Sequence, residues 1–287
     1  MFEHTVFSAS FSLMALSIAF CQKYFIGNFY LSDGARILIL SAFALIGARN
    51  FAMGFNRLCD RDIDKENPRT RHRPSVDGRL NVALLIGFCF ANACLFVGVS
   101  FFINHLAFYL SFPFLIFLGF YSLCKRFSVF AHFVLGLCLG LAPIASAIAV
   151  LGEIPLWSIN LALGVAFWVA GFDLLYSLQD LDFDRQKKLF SIPAKFGEIK
   201  TLYISRLSHL LAVFFWAIFL YQVDAGFFGF LGLIVSIAML CYEQFLVAKD
   251  LNNIPKAFFV TNGYLGFIFL IFILIDIFVR IFYASVG

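Results

Sequence analysis

Apolar runs of about 20 residues, the length that crosses a bilayer, alternate along this chain of 287 residues with short polar connections. They predict nine helices, over roughly 5–23, 36–58, 80–103, 105–123, 128–151, 156–179, 201–222, 225–247 and 257–282. The expected fold is all-α and polytopic, one transmembrane domain over 1–287. Polar side chains break the pattern at two places. Asn56, Asp60 and Asp64 close the second helix, and Tyr176, Asp180 and Asp184 close the sixth. In each set the spacing is i, i+4, i+8, which puts the three side chains on one helix face. The second set echoes the first about 120 residues later, and a basic connection follows each. This weak repeat suggests two related halves, about 1–127 and 128–287, facing one central cavity.

Composition excludes a soluble domain. Hydrophobic residues make up 62% and charged residues 13%, against roughly 25% charged in soluble proteins. The net charge of +4 is small and segregated, so it carries topology and gives no nucleic-acid signal. The connections after the second, fourth, sixth and eighth helices hold 16 of the 21 Lys and Arg residues, while the opposite connections hold only Lys23 and Arg36. A cytoplasmic membrane is expected, with the N-terminus and both acidic clusters on the cytoplasmic side and the C-terminus outside. No basic segment precedes the first apolar run, so a cleaved leader is not expected. The seven Cys form no C-x-x-C pair and read as small buried hydrophobes. The five His show no metal-ligand spacing. The 41 Phe read as lipid-facing filler, with some lining a pocket that tolerates a cation.

Carboxylates at the ends of apolar helices are expensive and mark function. A helix C-terminus already carries partial negative charge, so two such ends together call for divalent cations. Mg²⁺ uses one or two carboxylates plus substrate phosphate oxygens. The basic connections then supply the other phosphate ligands: Arg69 and Arg73 after the first cluster, Lys188 after the second, and Lys125 after the fourth helix. Carboxylates, Mg²⁺, diphosphate and a basic clamp form one consistent set. In the bland reading, Asp60 and Asp64 merely pair with Arg57 and Arg61 in a solvated loop, which the matched second cluster disfavours. Arg49 lies seven residues before Asn56 and Asp173 seven before Asp180, both inside their helices. Two readings stand. The pair neutralise each other, or both line a cavity and touch a polar substrate head, with Arg49 gripping a carboxylate and Asp173 accepting from a phenol.

The sequence resembles the UbiA superfamily of intramembrane aromatic prenyltransferases. The residues that carry the likeness are Arg49-x6-Asn56-x3-Asp60-x3-Asp64, then Asn67-Pro68-Arg69-Thr70-Arg71-His72-Arg73-Pro74 and Tyr121-Ser122-Leu123-Cys124-Lys125-Arg126-Phe127. Leu141-Ala142-Pro143, Asp173-x2-Tyr176-x3-Asp180-x3-Asp184, Ser191-Ile192-Pro193 and Phe196-Gly197 continue it to the last third of the chain. The resemblance implies nine helices around a cavity open to the membrane, two Mg²⁺ and an isoprenyl diphosphate. By that resemblance Asn56, Asp60, Asp64, Asp180 and Asp184 hold Mg²⁺ and diphosphate. Arg69, Lys125 and Tyr176 contact diphosphate, and Arg49 and Asp173 orient the aromatic acceptor. Departures are Arg57 where many relatives have Asp, Leu189 where Gly is common, and Ser75-Val76-Asp77-Gly78 in place of a Leu-Pro-Ser-Gly run.

The expected reaction is transfer of a polyprenyl chain from its diphosphate to a phenolic aromatic acid within the bilayer. The Asn-Arg-Leu and Asn-Pro-Arg-Thr wording resembles the 4-hydroxybenzoate polyprenyltransferase branch. Close relatives with that wording act on a dihydroxynaphthoate in a menaquinone route. A transporter would carry its charges on broken helices near mid-membrane, whereas these acids cluster at one face. A lipid-head phosphotransferase would gather its acids in one compact motif. A haem-farnesylating relative would differ only in its acceptor pocket.

Overall fold

A computed structural model describes residues 2–27 and 31–286. All regular structure among them is helical: α1 (Phe2–Phe25), α2 (Leu31–Cys59), α3 (Arg61–Glu66), α4 (Val82–Ile103), α5 (His105–Cys124), α6 (Ala131–Leu151), α7 (Leu156–Ser177), α8 (Leu181–Gln186), α9 (Ile192–Phe196), α10 (Glu198–Gln222), α11 (Phe227–Lys249) and α12 (Asn262–Val286). Eight of the described helices are long and apolar enough to cross a membrane: α2, α4 to α7 and α10 to α12. The expected ninth span, over 5–23, coincides with α1, whose first residues lie outside those with described side chains. The middle of α1 is enclosed, with Phe11, Met14 and Ala15 fully buried.

Local chemistry sets the helix ends. Asn81 caps α4 by accepting from the Ala83 amide. Asn104 ends α4 and caps α5 through the Ala107 amide, while its Nδ2 donates to the Ile148 carbonyl of α6. Gly152 closes α6 at φ +75°, a left-handed position that favours glycine. The last long helix starts at Asn262 rather than near 257, because Ala257–Thr261 adopts a π-type turn.

The core sits in the second half and around α1. Phe11 packs against Trp168 of α7 and Trp216 of α10 with ring centroids 5.2 and 5.4 Å apart, and Phe269 of α12 lies 5.5 Å from Trp216. Small residues let α7 approach its neighbours, as they do in membrane bundles generally. A Cβ on Gly136 or Gly140 of α6 would strike the Ala166 or Ala162 carbonyl, and one on Gly164 would strike the Trp216 ring. Many Phe side chains, Phe43, Phe88, Phe90 and Phe102 among them, are exposed on the outer surface as expected of lipid-facing filler. Of the cysteines, all free, Cys94 and Cys241 are exposed rather than buried, because they stand on outer helix faces.

Candidate active site

The two acidic sequences do not continue their helices smoothly. Helix α2 ends at Cys59, and Asp60 occupies the break before α3 with φ −89° and ψ +9°. Likewise α7 ends at Ser177, and Asp180 closes one 3₁₀ turn before α8. The i, i+4 register survives the first break: the Asp60 amide donates to Asn56 O at 2.8 Å and the Asp64 amide to Asp60 O at 2.7 Å. Asp64 and Asp184 thus sit on short separate helices and are almost fully buried.

Tertiary structure brings the sets together around a cavity of about 560 Å³. Arg49, Asn56, Asp60, Asp64, Arg69, Arg73, Lys125, Asp173, Tyr176, Asp180 and Asp184 all line it. Lys188 does not. It is exposed, with φ +54°, and the neighbouring Leu189 faces the cavity instead. The left-handed backbone at 188 turns the chain so that the lysine points away.

The loops cross-link the two halves at the cavity mouth. The Arg69 fork donates to Asp180, Nε to Oδ1 at 3.0 Å and Nη2 to Oδ2 at 2.5 Å, and its Nη1 donates to the Tyr176 hydroxyl at 3.3 Å. Asn67 Nδ2 adds a bond to Asp180 Oδ1 at 3.2 Å. Arg73 Nη1 grips both oxygens of Asp64, at 3.0 and 2.8 Å. Lys187 bridges to Glu66, and Arg126 to Asp62 at 2.6 Å. The Arg126 bond holds the Asp62 carboxyl below the usual range. Asp60 is placed differently. Its Oδ2 accepts from Asn56 at 3.1 Å, while its buried Oδ1 has no hydrogen-bond partner among the described residues. Burial pushes this carboxyl upward, against the opposing pull of Lys125. The disfavoured local pairing of Asp60 and Asp64 with Arg57 and Arg61 is not the one formed: Asp60 accepts from Asn56, Asp64 from Arg73, and Arg61 Nε donates to Ser75 O at 2.7 Å.

A buried carboxylate oxygen without a donor suits a cation. Among the described residues, however, no three His, Cys, Asp or Glu groups gather closely enough to hold an ion alone. Mg²⁺ binds through few carboxylates and completes its shell with phosphate oxygens and water. Asp64 and Asp180 now hold arginines, which are also good phosphate ligands.

Deeper in the cavity, Asp173 is bonded to His132, Nδ1 to Oδ2 at 2.7 Å. The carboxylate offered as a partner for Arg49 is therefore engaged by a histidine that has no metal-ligand spacing. Asn67 had no assigned role in the sequence either. Neither residue carries a local signal, since each meets its partner from more than 40 positions away. Phe114, Tyr121, Phe172 and Phe183 add aromatic faces to the cavity wall, which also carries Arg57, Ser41, Thr70 and Ser146.

Residues 10–273 match the model of the UbiA prenyltransferase family. A 4-hydroxybenzoate octaprenyltransferase of Francisella tularensis subsp. novicida is 26% identical over 240 residues, covering 83% of this chain and 84% of the relative. One from Marinobacter nauticus is 26% identical over 235 residues, covering 80% and 78%. Among solved structures, the apo structure of a UbiA homologue from Aeropyrum pernix K1 is 30% identical with a TM-score of 0.83, covering 96% of this chain and 98% of that one. A UbiA homologue from Archaeoglobus fulgidus bound to DMAPP and Mg²⁺ shares the fold at 18% identity, with a TM-score of 0.67 and coverage of 96% and 99%.

Proposed function

The chain belongs to the UbiA prenyltransferase family, and on that footing we propose that it transfers a polyprenyl group from its diphosphate to a phenolic aromatic acid for quinone synthesis. The observation that carries this reading is the cavity itself. It joins five buried or half-buried aspartates and a basic mouth to apolar walls and one deep arginine, Arg49. Asn56, Asp60, Asp64, Asp180 and Asp184 would hold two Mg²⁺, which supply positive charge against the diphosphate. Arg69, Arg73, Lys125 and the Tyr176 hydroxyl bind the phosphate oxygens and take up charge as the allylic C–O bond breaks. Aromatic faces such as Phe114 and Phe172 stabilise the developing allylic cation, each by about 0.5–2 kcal/mol. Apolar walls exclude the water that would quench it. Arg49 clamps the acceptor carboxylate in bidentate fashion. The ring carbon beside the hydroxyl attacks, and Asp173 takes the ring proton.

The names of the relatives favour a 4-hydroxybenzoate-type acceptor, and a dihydroxynaphthoate is the second reading. Purified protein incubated with one polyprenyl diphosphate and a panel of labelled aromatic acids decides between them. Transfer to benzoates alone selects the first and transfer to naphthoates alone the second. Transfer to neither defeats the aromatic-acid reading, and unimpaired transfer in EDTA defeats the metal assignment. We further propose that the 65–79 and 185–200 loops face the cytoplasm and residue 287 the opposite side. Cysteine labelling of the two loops from opposite sides would refute that topology.

A further inference from the structure

We propose that His132 is the positioning residue for Asp173, fixing one carboxylate oxygen so that the other faces the aromatic acceptor; this rests on the prenyl-transfer reading above. His132 lies in the first turn of α6 and Asp173 near the end of α7, 41 residues apart. The close approach of the two backbones at Gly136 and Ala166 is what lets a side chain as short as histidine reach across.

An ionised carboxylate only accepts, so Nδ1 carries the hydrogen of this bond. Exposure decides which member meets substrate. The Asp173 side chain is 21% exposed toward the cavity and that of His132 only 2%. Nε2 is buried, with no hydrogen-bond partner among the described residues. A base needs access to the proton it takes, so Asp173 is the group at the acceptor and His132 stands behind it. An imidazole also does something that Lys or Arg in that place would not. It orients the carboxylate without adding a fixed positive charge that would weaken it as a base.

In the transfer, the ring carbon forms its C–C bond to the allylic carbon while the allylic C–O bond breaks and diphosphate leaves with the electron pair. The ring then carries one extra proton at that carbon. Asp173 Oδ1 takes it, and the C–H electron pair returns to the ring. Held at Oδ2, the carboxylate cannot swing away during this step.

The test compares His132→Ala with His132→Asn, whose amide N–H can replace the Nδ1–H, each alone and combined with Asp173→Asn. We expect His132→Ala to lower kcat about 10- to 100-fold, with the KM for polyprenyl diphosphate unchanged. His132→Asn should recover most of that loss. Added to Asp173→Asn, His132→Ala should lower kcat no further, because the group it positions is already gone. Wild-type kcat in His132→Ala would overturn the proposal. So would an Asn variant as slow as the Ala variant with an equal fall in melting temperature, or losses that multiply in the double variant. A wild-type protein that prenylates no aromatic acid fails earlier in the same experiment and removes the parent reading together with this one.

Discussion

The two helices that deliver the acidic clusters are packed in opposite ways. In the most apolar 18-residue stretch only 11% of the α2 span is buried in the protein, against 72% for the span that α7 begins. Helix α7 lies between α6 and α10 with glycines at its contacts and Trp168 locked among Phe11, Trp216 and Phe172. Helix α2 leans mainly on α4, through Gly47 and Gly54, and shows Phe43 and Ile46 to the outside. One cluster therefore rides on a fixed platform and the other on a thinly supported arm. The contacts that join them, Arg69 and Asn67 to Asp180 and Lys187 to Glu66, are polar and lie at the mouth. Such a division suits the proposed binding of a prenyl diphosphate between the two halves.

The sharpest way to break the comparison is to delete one acid from each side. If both clusters serve one cation–diphosphate site, Asp60→Ala and Asp184→Ala should lower transfer alike, by at least ~10²- to 10³-fold, despite their unequal packing. Near-normal turnover in either, measured with labelled polyprenyl diphosphate on folded protein, would mean that one half suffices.

A smaller effect is expected deeper on the arm. Arg49→Lys keeps the charge and loses the fork, so the KM for the aromatic acid should rise about 10- to 150-fold and that for the diphosphate far less. If Arg49 were only a structural ion, both KM values would move together and the melting temperature would fall.

Stability probes the platform directly. Gly164→Ala drives a methyl into the buried Trp216 ring, and overpacking of that kind costs about 1–3 kcal/mol. Gly87→Ala on α4 meets nothing within 4 Å and should be neutral or slightly stabilising, since Ala is the better helix former. Equal melting temperatures for the two variants in one detergent would erase the proposed difference in packing.

Least affected should be Lys188→Ala. This lysine is exposed and off the cavity, so kcat/KM should change by no more than about 2-fold, as for an ordinary surface substitution within ±0.5 kcal/mol. Lys125→Ala, which removes a cation from the cavity wall, should raise the KM for the diphosphate clearly more. A reversal of that order would return Lys188 to the site.

Much of this was legible along the chain because it depends on local spacing and bulk hydrophobicity. Apolar runs fixed the helices to within a few residues. The matched i, i+4, i+8 acids survive as register even though both helices break there, since the i to i−4 amide bond at Asp60 bridges the interruption. What the sequence could not carry was the choice of partner. Arg69 meets Asp180 across 111 positions, Arg73 takes Asp64 rather than leaving it to a nearer arginine, and Asp173 bonds His132. Lys188 and Leu189 differ by one residue, yet a single positive φ decides which faces the cavity. Such outcomes follow from how closely helix backbones approach and which way a loop turns, and those distances are set by packing between segments remote in sequence. Hydrophobic periodicity and charge asymmetry belong to each segment alone. They give element type, and with the paired acids a reaction class, but only the packed bundle decides which charge faces which.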